Sequence, residues 1–173
     1  MKVLFASLTG DILLDALMGA VFAMVSYSSL AAVLLTATLA GAGVISLPVA
    51  IGLVVGANIG SGVLAFLSTS MQNAAGRQVA LGSLLYKLIG LLLIIPVLDP
   101  LAHWMDSLDF SPQEVVIGFH LLYNTARCLL LLPTVGPMAR LCAWLLPERP
   151  QENGRARPRH LDPTALALSL IHI

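Results

Sequence analysis

The sequence predicts an all-α integral membrane fold made of a re-entrant hairpin, a broken helix and two spanning helices. Two observations carry this expectation. Of 173 residues, 58% are hydrophobic and 10% are charged, whereas soluble domains hold about 25% charged residues. The charges are also segregated: between Asp15 and Arg77 lie 61 residues without Asp, Glu, Lys or Arg, while Arg140, Arg149, Arg155, Arg157 and Arg159 crowd the last quarter. The formal net charge of zero conceals this asymmetry. An ordinary water-soluble domain is excluded.

Residues 1–10 read as an incomplete N-terminal flank. Asp11 and Asp15 interrupt the only apolar run after Lys2, which argues against a secretory signal. Ile12–Val25 is 14 residues, about 21 Å as a helix and short of a full crossing. The polar interruption Ser26-Tyr27-Ser28-Ser29 follows, then a second short apolar run over 30–40 that ends at Gly41-Ala42-Gly43. The pair predicts a hairpin that dips into the membrane and returns. No Gly or Pro marks the serine-rich interruption, so a single tilted helix is the alternative reading.

A third apolar stretch, 46–67, has Pro48 in its first turn and Gly56-Ala57-Asn58-Ile59-Gly60-Ser61-Gly62 in its middle, where composition predicts a break. Segments 78–98 and 114–132 each supply about 20 mostly apolar residues, enough for a hydrocarbon core of about 30 Å. Pro96, Pro100 and Pro112 punctuate their ends. The connection between them carries Asp99, Asp106 and Asp109 with no Lys or Arg, so by the positive-inside rule it faces out and the C-terminal end is cytoplasmic. Residues 11–147 form the membrane unit, and the Pro-, Arg- and Glu-rich residues 148–167 read as a cytoplasmic linker. The chain reads as stopping early. Its last six residues, 168–173, match what a transposon sequencing adapter encodes and are set aside as an artefact.

Two features place polar atoms at membrane depth: the serine-rich interruption, and Asn58 with Ser61 among glycines. An unsatisfied polar group in hydrocarbon costs several kcal/mol, so these must face protein or a water-filled cavity. Hydroxyls, an amide oxygen and freed carbonyls suit a hard cation such as sodium, while half-helix N-termini suit an anion. The competing reading is packing, because Gly52, Gly56 and Gly60 form a ridge spaced to receive a neighbouring helix. Both stay open at this level. Lys87 and Arg127 fall inside the two spans, where charges are expensive and usually paired. Their candidate partners are Asp15 and Asp11, in a pair that locks helices; snorkelling of Arg127 and attraction of phosphate are the other options. His120, Tyr123 and Asn124 share one helical face at i, i+3 and i+4, and could line a path or bond a neighbouring helix.

Other chemistries find no support. The arginine cluster lacks interleaved aromatics, which excludes a nucleic-acid partner. The glycine run lacks the Gly-Lys-Ser/Thr ending of a phosphate-binding loop. Cys128, Cys142, His103 and His160 show no metal-ligand spacing, and no Ser-His-acid order suggests hydrolysis. Neither an enzyme nor a resident cofactor is expected.

Tyr27-Ser28-Ser29-Leu30, Ala42-Gly43-Val44-Ile45-Ser46-Leu47, Gly56-Ala57-Asn58-Ile59-Gly60-Ser61 and Phe119-His120-Leu121-Leu122-Tyr123-Asn124 together resemble one repeat of the sodium/phosphate cotransporter family. Order and spacing agree over 11–145. Within the family the chain is most similar to a bacterial branch associated with phosphate export, whose longer members have two inverted repeats and a cytoplasmic PhoU-like helical domain. The resemblance implies a second repeat, one inverted-repeat half, in a multi-pass bacterial inner-membrane protein, with the first repeat and the PhoU-like domain missing from this chain.

It also implies that Ser28, Ser29, Asn58 and Ser61 form half of a midplane site for sodium and inorganic phosphate, sodium lying at Ser28, Asn58 and Ser61 as the coupling ion. Tyr27, Lys87, His120, Asn124 and Arg127 are candidate supporting residues. Tyr27 stands for the motif's Gln, Leu30 for its third Ser and Ser61 for its Thr, and Ala57 stands where some members have Ser. This repeat therefore offers fewer side-chain oxygens, which shifts the burden of holding the ion towards the other repeat. The implied function is secondary transport of phosphate by alternating access. A membrane-embedded regulatory or scaffold subunit of phosphate homeostasis and a passive anion channel are the alternatives.

Overall fold

The computed structural model describes residues 11–148; the N-terminal flank, all but the first residue of the linker and the last six residues lie outside them. In chain order the elements are α1 (Ile12–Val25), α2 (Ser29–Gly41), α3 (Leu47–Ser68), α4 (Ala74–Asp106), α5 (Pro112–Leu131), a 3-10 turn (Leu132–Thr134) and α6 (Val135–Leu145). The expected all-α membrane architecture is what forms. Among the described residues, three segments are long and apolar enough to cross a bilayer: Leu47–Ser68, Ala74–Leu98 and Pro112–Leu145.

Side-chain caps account for the starts of α1, α2, α4 and α5. Asp11 accepts from Leu13 N and Leu14 N at 2.9 and 3.3 Å, Ser28 from Ala31 N at 3.1 Å and Asn73 from Gly76 N at 2.9 Å. Ser111 and Glu114 make a reciprocal capping box on α5. The ends of α1 and α2 share one form of C-cap. Ser28 N donates to Ala23 O and Tyr27 N to Met24 O; Val44 N donates to Leu39 O and Gly43 N to Ala40 O. Both are Schellman turns, which need a left-handed residue after the cap. Gly43 supplies it at φ 66°, and Tyr27 supplies it at φ 53°. So the chain does break at 26–28, although no glycine is there.

The break makes α1 and α2 separate helices of 14 and 13 residues, about 20 Å each and below a bilayer core of about 30 Å. Their arrangement follows from contacts with α3. Asp15 faces Gly52, Ala16 faces Gly56 and Ala20 faces Gly60, so α1 and α3 run parallel and α2 must return the chain between them.

The α1–α3 crossing is very close. A Cβ at Gly56 would overlap Ala16 O, and one at Gly60 would overlap Ala20 O. The glycine ridge is therefore a helix-packing surface, and Asp15, Ala16, Gly19 and Ala23 are its buried counterpart on α1. The core around it is mostly small: Ala23, Ala32, Ala37, Ala50, Val54, Val55 and Ala57 are buried. Leu13, Leu17, Leu92, Leu121, Leu129 and Leu130 face outward. Large apolar groups outside and small ones inside are what a hydrocarbon solvent allows, since burying Leu gains little there.

Two expectations are corrected. The predicted break within 46–67 is absent: α3 is helical throughout Leu47–Ser68, because Gly56 and Gly60 meet backbone on α1 and that contact holds them in the helix. The second correction concerns the prolines. α4 runs through Pro96 and Pro100 to Asp106, leaving only 107–111 as the connection. Each proline removes one helical hydrogen bond, but both lie on an exposed face, while Leu98, Ala102 and Met105 on the opposite face are buried in the core.

Candidate functional site

Ser28 and Ser29 open α2 at the tip of the α1–α2 turn, both half-buried. Ser28 Oγ is committed to capping Ala31 N, while its carbonyl accepts from Ser26 Oγ at 3.0 Å. The first N–H groups of a helix have no intrahelical partners, so this tip carries the positive end of the α2 dipole. Tyr27 is 78% exposed, its ring projecting away from the core.

Asn58 and Ser61 lie on α3. Asn58 is buried and donates from Nδ2 to Val54 O at 3.1 Å. Ser61 Oγ donates to Asn58 O at 2.8 Å and accepts from Lys87 Nζ on α4 at 3.0 Å. Lys87 reaches it over Gly62, where a Cβ would come within 2.9 Å of the Lys87 Cδ. No hydrogen bond joins the Ser28–Ser29 pair to the Asn58–Ser61 pair among the described residues.

A second polar group forms where α5 crosses α4. Asn124 Nδ2 donates to His120 O at 2.8 Å and sits 3.3 Å from His120 Nδ1. Arg127 Nη2 donates to Asn124 Oδ1 at 2.9 Å. The guanidinium lies 5.6 Å from the centroid of the Tyr123 ring, which stacks on Phe119. Arg127 passes over Gly90, where a Cβ would be 2.7 Å from its Cδ. Gly90 is one turn after Lys87, so the two cations are neighbours. Arg127 also borders an apolar cavity of about 520 Å³ between α4, α5 and α6.

The expected pairing of these cations with Asp15 or Asp11 does not occur. Asp11 caps α1. Asp15 lies in the α1–α3 crossing, 1% exposed, with neither carboxyl oxygen bonded among the described residues. Arg127 Nη1 and the Tyr123 hydroxyl are likewise buried without a hydrogen-bond partner. Asp15 and Tyr123 are thus the polar residues whose isolation sequence reasoning missed, although Asp15 stands opposite the readable glycine ridge. No group of three His, Cys, Asp or Glu that could hold a metal occurs among the described residues.

The sequence profile of the Na+/Pi-cotransporter family matches residues 1–123. The chain belongs to that family. It is 59% identical over 165 residues to a protein of Escherichia coli (strain K12) named "Putative inorganic phosphate export protein YjbB", covering 95% of this chain and 30% of the relative. A Salmonella typhimurium protein of the same name is 58% identical over the same coverage. The Bacillus subtilis protein YqeW is 27% identical over 133 residues, 77% of this chain and 43% of that one. The chain spans less than a third of the length of the first two. No solved structure matches it. With three bilayer-length apolar segments among the described residues, the chain is a membrane protein of a transporter family and not an enzyme.

Proposed function

We propose that the complete protein moves inorganic phosphate across the bacterial inner membrane, coupled to sodium, by alternating access around a site shared between this repeat and the one missing here. The C-terminal end then lies in the cytoplasm, towards a PhoU-like domain. The observation that carries the reading is the neighbouring pair Lys87 and Arg127, half-buried and without a carboxylate partner among the described residues. Two such cations inside a membrane domain call for an anion. The N-terminus of α2 at Ser28 and Ser29 adds fixed positive potential of the kind that binds phosphate. Family membership and the name of the 59% identical relative point the same way.

In this reading Ser28, Ser29, Asn58 and Ser61 form this half of the site. Arg127, oriented by Asn124 and His120, supplies charge, and Tyr27 borders the tip. The α1–α2 hairpin enters the bilayer from one side and returns.

Labelled phosphate uptake by liposomes carrying the complete protein, with and without a sodium gradient, tests this. Saturable flux is expected, lowered by Ser29→Ala at equal membrane abundance. Absence of saturable flux in either direction ends the claim and leaves the regulatory subunit as the better reading, while flux that does not saturate points to a channel.

A further inference from the structure

The family motif brings a hydroxyl to position 61, and this chain meets that hydroxyl with an ammonium. Ser61 Oγ has one proton and two lone pairs. The proton goes to Asn58 O at 2.8 Å, and a lone pair receives Lys87 Nζ at 3.0 Å. Asn58 is itself tied back to Val54 O, and α3 is unbroken from Leu47 to Ser68. Its backbone carbonyls are therefore engaged in the helix and are not turned out to coordinate an ion. Lys87 is placed there by shape. Gly62 leaves the gap that its stem fills, with Leu84 beside it. Among the described residues no carboxylate offsets the ammonium. A free monovalent cation at Ser61 would stand within a few ångströms of it, and like charges this close at membrane depth repel strongly.

We propose that the Lys87 ammonium is a tethered monovalent cation that occupies, at Ser61, the place a sodium ion would take, so this half of the protein needs no sodium there. The inference rests on the transport reading above and deepens it: the coupling ion binds away from Ser61. A fixed cation supplies here the charge that balances phosphate.

The test uses the purified complete protein and Lys87→Gln. Thermal unfolding is followed over a sodium chloride series with choline chloride as the control. Lys87→Gln is expected to gain a sodium-specific stabilisation beyond that of the parent, and in proteoliposomes its phosphate flux should become at least tenfold more dependent on sodium. Equal sodium responses in parent and variant overturn the proposal, as does a variant that loses phosphate affinity with its sodium response unchanged. If Lys87→Gln does not fold, Ser61→Ala decides. Parent and Ser61→Ala should respond to sodium alike, and a tenfold or larger rise in the sodium midpoint of Ser61→Ala overturns the proposal. A parent that carries no phosphate ends the transport reading, while the unfolding experiments still judge the role of Lys87.

Discussion

Asp15 rests against Gly52 so closely that a Cβ on the glycine would lie 2.7 Å from the Asp15 Cβ and 3.5 Å from Oδ2. The carboxyl group is sealed in a helix crossing, with no donor to receive among the described residues. If it were half of a buried ion pair, removing its charge would cost about 3–5 kcal/mol. As it has no partner, Asp15→Asn is expected to leave the thermal stability of the complete protein unchanged or to raise it. A fall in unfolding temperature of the size a lost ion pair produces would show that a cation reaches Asp15.

The same crossing sets the cost of added bulk. Gly56→Ala drives a methyl into Ala16 O, and because that neighbour is backbone, the two helices must part. Overpacking of this kind costs about 1–3 kcal/mol. A methyl added at Gly118 would meet nothing within 4 Å, so Gly118→Ala should be neutral or gain up to ~1 kcal/mol from helix propensity. Denaturation in mild detergent compares the two, and a tolerated Gly56→Ala would mean that α1 and α3 stand farther apart.

Tyr27 holds a left-handed conformation at φ 53° with its ring exposed. That conformation costs a non-glycine residue about 1–2 kcal/mol. Tyr27→Gly should therefore stabilise the turn by ~1 kcal/mol, while Tyr27→Val, branched at Cβ, should destabilise it. Unfolding temperatures in the order Gly, Tyr, Val from high to low are the expected result, and the reverse order would place the turn in another conformation.

Ser28 serves α2 as its N-cap, which separates two effects of its loss. Ser28→Ala should cost about 1 kcal/mol of stability, and Ser28→Asn should restore it, because Asn caps as well as Ser. If the hydroxyl also contacts the solute, phosphate affinity stays low in Ser28→Asn. Affinity that recovers with the cap would leave Ser28 a structural role alone.

Much of this architecture is readable along the chain. The polar interruption at Ser26-Tyr27-Ser28-Ser29 marks the division of the first two apolar runs, and Gly41-Ala42-Gly43 marks the end of the second. Tyr27 does not announce its left-handed turn, because that turn is enforced by the hydrogen bonds around it against its own preference. Pro96 and Pro100 read as terminators, a sound inference in water; the buried face formed by Leu98, Ala102 and Met105 carries the helix past them. The glycine ridge is visible, but its use turns on which backbone lies opposite.

Composition and charge order suffice to place the chain in a bilayer, divide it into apolar segments and mark Asn58, Lys87 and Arg127 as polar groups at membrane depth, because transfer from water to hydrocarbon depends on what each residue is. Where each polar group finds a partner depends on gaps of a few ångströms between helices distant in sequence. Lys87 meets Ser61 through the space at Gly62, and Asp15 meets none, outcomes set by packing across α1, α3 and α4.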